Sequence, residues 1–130
     1  MTKRLWAGVV VCGALLAVGS LQAHHSLAGT YDLNNTERAT GVVLKIAFTN
    51  PHGALTIEIK DKEGVAKAWI LTTGSINVLA NAGVSATGPN RLKAGDVIQV
   101  SFNPSRNGSN LGFLRSMTLP DKTEADFSPD

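Results

Sequence analysis

A small all-β domain, a barrel of five short strands with one short helix, is the fold class this sequence predicts, and three observations predict it. Apolar residues recur at every second position through most of the chain beyond residue 36. Polar turn formers such as Asp61 to Gly64 and Lys93 to Asp96 separate these runs. The one stretch of helical character, "SINVLANAG", falls between the third and fourth runs. The order strand, strand, strand, helix, strand, strand matches an OB-like barrel, whose helix plugs the gap between the third and fourth strands. Closure would also cover the edges that a small open sheet exposes. A small sandwich of the same strands is the alternative that this order leaves open.

The chain opens on Lys3 and Arg4, then a largely apolar run from Leu5 to Gly19, then Ser20, Leu21, Gln22 and Ala23. That is the layout of a secretory signal peptide, and the run is shorter than the roughly 20 apolar residues a membrane span needs. Residues 1–23 are therefore expected to be cleaved, residues 24–35 to be an N-terminal arm, 36–120 the barrel, and 121–130 a flexible acidic tail. Leu21 is large for the third position before a cut, so the scissile bond is set only to within a residue or so. The expected location is the periplasm or the exterior of a bacterium.

The first strand, "TGVVLKIAFTNP", is expected to turn Val42, Leu44, Ile46 and Phe48 inward. In the second, Leu55, Ile57 and Ile59 face in while Thr56, Glu58 and Lys60 face out. The third, "AKAWILTT", is ambiguous, because Trp69 and Leu71 oppose Ala68 and Ile70. Ser75 is placed to cap a helix carrying Ile76, Leu79 and Ala80, with Gly83 to end it. Ile98, Val100 and Phe102 share a phase in the fourth strand, and "FLRSMTLP" is the fifth. Phe48, Phe102 and Phe113 are read as core.

Charge and cysteine usage exclude several functions. Cys12, the single cysteine, lies inside the expected leader, so the processed chain has no disulfide, thiol nucleophile or Cys-ligated zinc. Lys3 and Arg4 leave with the leader, and the twelve lysines and arginines fall to ten, balanced by ten aspartates and glutamates. A neutral domain has little electrostatic drive toward nucleic acid, whose affinity rests on phosphate contacts. No nucleophile elbow, phosphate loop or His-Glu metallopeptidase motif is present. The expectation is a monomeric binding or interaction module without catalytic residues and without a stable membrane anchor, its partner a small ligand, a metal or a protein.

The chemistry that remains is in the three histidines, His24, His25 and His52. Imidazole favours copper, and a free amine adds a nitrogen donor. A cut after Ala23 would make His24 a terminal chelator that His52 could complete. A cut after Gln22 would put His25 third in the chain, which suits square-planar copper or nickel through intervening backbone nitrogens; either way Cu(II) is expected before zinc. Against this metal reading stands a plain polar arm, with His52 on a turn. Asn50 and Trp69 are the candidates for contact with an organic ligand. Asn50, with Pro51 and Gly53, reads first as a strand corner, and Trp69 reads first as core packing, with a stacking platform as the other reading.

Taken together, "AHHS" at 23–26, "YD" at 31–32, "ATGVV" at 39–43, "NPH" at 50–52, Trp69 and "LKAGD" at 92–96 resemble a family of small exported bacterial proteins of unknown function. The resemblance runs from about Ala23 to Pro120. It implies a periplasmic β-barrel and carries no activity and no catalytic residues with it.

Overall fold

The computed structural model describes residues 27–89 and 91–127. It divides into two compact units, Met1–Thr30 and Tyr31–Asp130. In the first, residues 27–30 form a helical turn. The expected leader, and His24 and His25 beyond it, lie outside the described residues. Among the described residues no helix is long and apolar enough to cross a membrane.

The second unit is the barrel. Its elements run β1 (Glu37–Ala47), β2 (Ala54–Lys60), β3 (Ala66–Thr72), α1 (Ile76–Asn81), β4 (Val97–Pro104), β5 (Leu111–Thr118) and β6 (Glu124–Asp126). The hydrogen-bonded order is β3-β2-β1-β4-β5-β6, and β3 pairs again with β5 to close a ring of five strands. All neighbours in that order are antiparallel, while the closing β3–β5 pair is parallel. This is the predicted OB-like topology, with α1 between β3 and β4.

The core follows the period-two pattern. Leu55, Ile57 and Ile59 of β2, Leu71 of β3, and Ile98, Val100 and Phe102 of β4 are buried, joined by Leu114 and Met117 of β5 and Leu79 of α1. The first strand departs from its predicted phase. Its register with β2 shifts between Val43 and Lys45, a bulge that carries one extra residue. Before the bulge Gly41 and Val43 face inward; after it Ile46 and Phe48 pack on the core, and Leu44 is left 43% exposed. A strict alternation read through the bulge puts Val42 and Leu44 on the wrong face. A second shift, between Ser101 and Phe102, leaves Arg115 of β5 as the extra residue, so the buried residues Leu114 and Met117 fall three apart; Asn103, also buried, bonds to Asn35 and Thr36.

The expected arm joins the barrel from Tyr31 onward. Tyr31 forms an isolated bridge with Ser105, and the Asp32 N–H donates to the Pro104 carbonyl at 2.9 Å. The Tyr31 hydroxyl shares a 2.8 Å hydrogen bond with Thr72 Oγ1, and its ring lies 5.9 Å from that of Phe113. Thr72 and Phe113 are themselves partners across the β3–β5 seam. Phe113 is therefore an outer-face residue under Tyr31 and not part of the core. A few residues on, Asn103 Nδ2 donates to the Asn35 carbonyl at 2.6 Å.

The segment expected to be a loose acidic tail carries β6. Leu119 to Thr123 form a turn in which the Leu119 N–H donates to the Thr123 carbonyl at 2.8 Å, and Lys122 takes φ 72°. Glu124 to Asp126 then pair with Ser116 to Thr118, just beyond the stretch of β5 that pairs with β3. Asp121, Glu124 and Asp126 face solvent, and Ala125 and Phe127 enter the core. Composition alone missed this because two apolar residues at the right phase suffice to dock a short strand. Replacing Phe127 by Ala is expected to cost about 3 kcal/mol, read as a lowered urea midpoint. An unchanged midpoint would mean that the tail contributes nothing to the fold.

Candidate functional site

The pairing directions sort the loops onto two ends of the barrel. The β1–β2 corner and α1 share one end; the β2–β3 hairpin, the β4–β5 loop and the start of β1 share the other.

At the α1 end, the corner "NPHG" is structural. Asn50 Oδ1 accepts from the Ile76 N–H at 3.1 Å, and Ser75 Oγ accepts from the Val78 N–H at 3.4 Å, so two side chains serve the first turn of α1. The Asn50–Pro51 peptide bond is cis. Gly53 donates to the Gly74 carbonyl at 3.1 Å and accepts from the Thr73 N–H at 3.0 Å. A Cβ on Gly53 would sit 2.5 Å from the Ala47 carbonyl and 2.6 Å from Thr73 Oγ1, so only glycine allows this approach. Asn50, considered above as a ligand contact, thus spends its carbonyl oxygen on the helix. His52 is exposed, and its backbone carbonyl accepts from Thr49 Oγ1 at 2.7 Å. Among the described residues no group of three or more His, Cys, Asp or Glu comes together to hold a metal.

At the opposite end, Trp69 is half-buried. Its position follows from Gly112: a Cβ there would lie 2.6 Å from the Phe102 ring and 2.9 Å from Leu71. The missing side chain lets Phe102 fill the barrel, and Trp69 leans on that ring with centroids 5.1 Å apart and planes tilted by 51°. The ring is packed against the core and only partly buried, so some of its surface is left to solvent. Trp69 lies at the junction of two open clefts. One, of about 320 Å³, runs along Glu37, Arg38, Lys60, Lys62 and Lys67 with Phe102 at its base. The other, of about 400 Å³, runs past Asp32, Asn35, Arg106 and Ser109. Glu37 lines both. A larger depression, of about 460 Å³, lies over the outer face of β1, β4 and β5, but its lining includes no aromatic side chain. There Ser101 and Ser116, 2.8 Å apart, already satisfy each other.

One side of the 320 Å³ cleft is built by the hairpin. Asp61 Oδ1 accepts from the Glu63 and Val65 N–H groups at 3.0 and 2.8 Å, and its Oδ2 lies 2.9 Å from Lys67 Nζ. The Lys67 ammonium, followed by the Val65 N–H, holds the Asp61 carboxyl below its ordinary value of 3.8, and the same contact raises Lys67. Across the mouth, Arg106 Nη2 lies 3.8 Å from Asp32 Oδ1. Arg38, Lys60 and Lys62 form no ion pair within 4.0 Å among the described residues.

Two outcomes test these local readings. Because the folded pKa of Asp61 is depressed, its stabilising effect is complete above the unfolded carboxylate value and is lost as the pH falls through the lower folded one. Replacing Lys67 by Met is expected to move the Asp61 carboxyl titration upward in a ¹³C NMR series; an unmoved titration would assign the shift to the backbone donors. Replacing Asn50 by Ala is expected to cost about 1 kcal/mol, with amide exchange accelerated first at Ile76. Equal exchange in both proteins would remove Asn50 from the cap.

The sequence placed Trp69, Asn50 and His52, and the structure separates their roles. It adds Glu37, Arg38, Lys60 and Lys62 around Trp69, which no local motif marks. No curated protein and no solved structure matches the chain. A family described only as being of unknown function, DUF6152, matches residues 9–115. That span takes in every motif named above and most of the barrel, and the chain belongs to the DUF6152 family.

Proposed function

We propose that this chain is an exported binding module that holds a small ligand at the Trp69 end of its barrel and works by retention and not by turnover. The observation that supports it is a half-buried indole at the junction of two clefts of about 320 and 400 Å³. Small-ligand sites are typically concave, a few hundred Å³ in volume, and built on aromatic surface with a few polar groups around it. Burying the whole ring would remove more apolar surface from water, at about 25 cal/mol per Å². A ligand seated against the ring recovers that term. Export is supported by Lys3 and Arg4, the apolar run to Gly19 and the small residues ending at Ala23.

The test uses the full chain with Trp6 replaced by Phe, so that Trp69 is the only indole. A fragment library is screened by the Trp69 side-chain signal in ¹⁵N spectra. Fragments that bind are expected to shift this signal and to bind Trp69→Leu at least about tenfold more weakly, or ~1.4 kcal/mol. Leucine keeps an apolar contact with Phe102 and lacks the flat face. Fragments that shift only residues near α1, or that bind Trp69→Leu equally well, would refute the site.

A further inference from the structure

We infer that the ligand of the Trp69 cleft is a planar organic anion: an aromatic or heteroaromatic ring carrying a carboxylate, sulfonate or phosphate. This rests on the binding site proposed above and adds its charge selectivity. Around the 320 Å³ cleft stand four cationic side chains, Arg38, Lys60, Lys62 and Lys67, against two carboxylates, Glu37 and Asp61. The 2.9 Å Lys67–Asp61 ion pair cancels one charge of each sign. Three cations and one carboxylate then remain around a cleft that the indole also lines.

The imbalance is local. Counted from residue 24 on, lysine plus arginine equals aspartate plus glutamate, at ten each. A surplus of two positive charges within one cleft is therefore a feature of the folded arrangement and not of the composition. Clefts with low-dielectric walls focus such a field, which raises the local concentration of oppositely charged solutes. The backbone explains how the cations gather. Lys60 ends β2, Lys62 follows in the hairpin, and Arg38 is the second residue of β1, three positions before the first β1–β2 pair, Gly41 with Ile59.

Ring and charge act on different parts of one ligand. The indole takes a flat ring by stacking, and Lys60, Lys62 and Arg38 take the anionic substituent. Glu37, shared by both clefts, repels a second anionic group from the side of Asp32. A single negative charge at one end of a flat ring meets both conditions.

Three probes with one ring system separate charge from shape: 2-naphthoate, 2-naphthamide and 2-naphthylmethylammonium, titrated into the full W6F chain and followed at the Trp69 indole signal. The naphthoate is expected to bind at least tenfold more tightly than either of the others, and to lose most of that margin in 0.5 M NaCl. The K60E/K62E double variant is expected to reverse the order, with the ammonium now preferred. Lys45→Glu, an exposed lysine outside the cleft, is expected to leave it unchanged. Backbone ¹⁵N spectra confirm that each variant is folded. Equal affinity for all three probes, or a K60E/K62E chain that still prefers the naphthoate, would overturn the charge selectivity while leaving a Trp69 site in place. A Trp69 signal that none of the probes moves would overturn both.

Discussion

A sheet that closes on itself must join its two ends across one seam, and in this barrel the seam is three residue pairs long, Ile70 to Thr72 of β3 against Leu111 to Phe113 of β5. Parallel pairing is slightly weaker per residue than antiparallel pairing, and three pairs give little margin. Two features that composition did not announce lie at or beside this junction. Tyr31 covers it from outside, bonded to Thr72 on one strand and set against Phe113 on the other. Where β3 leaves β5, the β6 strand takes over and drives Ala125 and Phe127 into the core. Residues before β1 and after β5 thus join in closing the five-stranded ring.

The same junction positions the candidate site. Gly112 lies in the seam opposite Leu71, and its lack of a side chain is what lets Phe102 occupy the centre. Trp69 leans on Phe102, so the openness of the Trp69 end is a consequence of how the barrel is filled. The opposite end is packed by different means, with Leu79 of α1 fully buried and the Asn50 corner holding the helix in place. Side-chain caps thus fix the helix at one end, beside an open depression of about 400 Å³ lined by Phe48, Ile76 and Val84, while the other end carries the half-buried Trp69.

Much of the architecture was legible along the chain, because alternation is a local property. The buried residues of β2 and β4, the Ser75 cap and the OB-like order all follow from near neighbours in sequence. The errors have a common physical origin. The bulge at Leu44 changes which face the next residues present, and nothing in "VVLK" signals the extra residue. Phe113 looks like core because it is large and apolar, yet the Tyr31 ring gives it cover on the outside. The tail looked loose because its charges dominate, although only Ala125 and Phe127 face inward. The "LKAGD" stretch is a turn, as its composition predicts. Lys93 and Asp96 bind each other, and Gly95, at φ 93°, donates to Val43 of β1.

By itself the sequence determined most of the strand periods, the helix and its cap, the absence of cysteine beyond residue 12, and the balance of charge from residue 24 on. It also singled out Trp69 and the "NPH" corner. Only the tertiary structure decided that Asn50 serves the helix, that Trp69 stands half-open, and that Arg38, Lys60 and Lys62 gather beside it. The reason is separation along the chain. Periodicity and capping act over a few residues, while the charge of a cleft is the sum over strands that meet only when the sheet has closed.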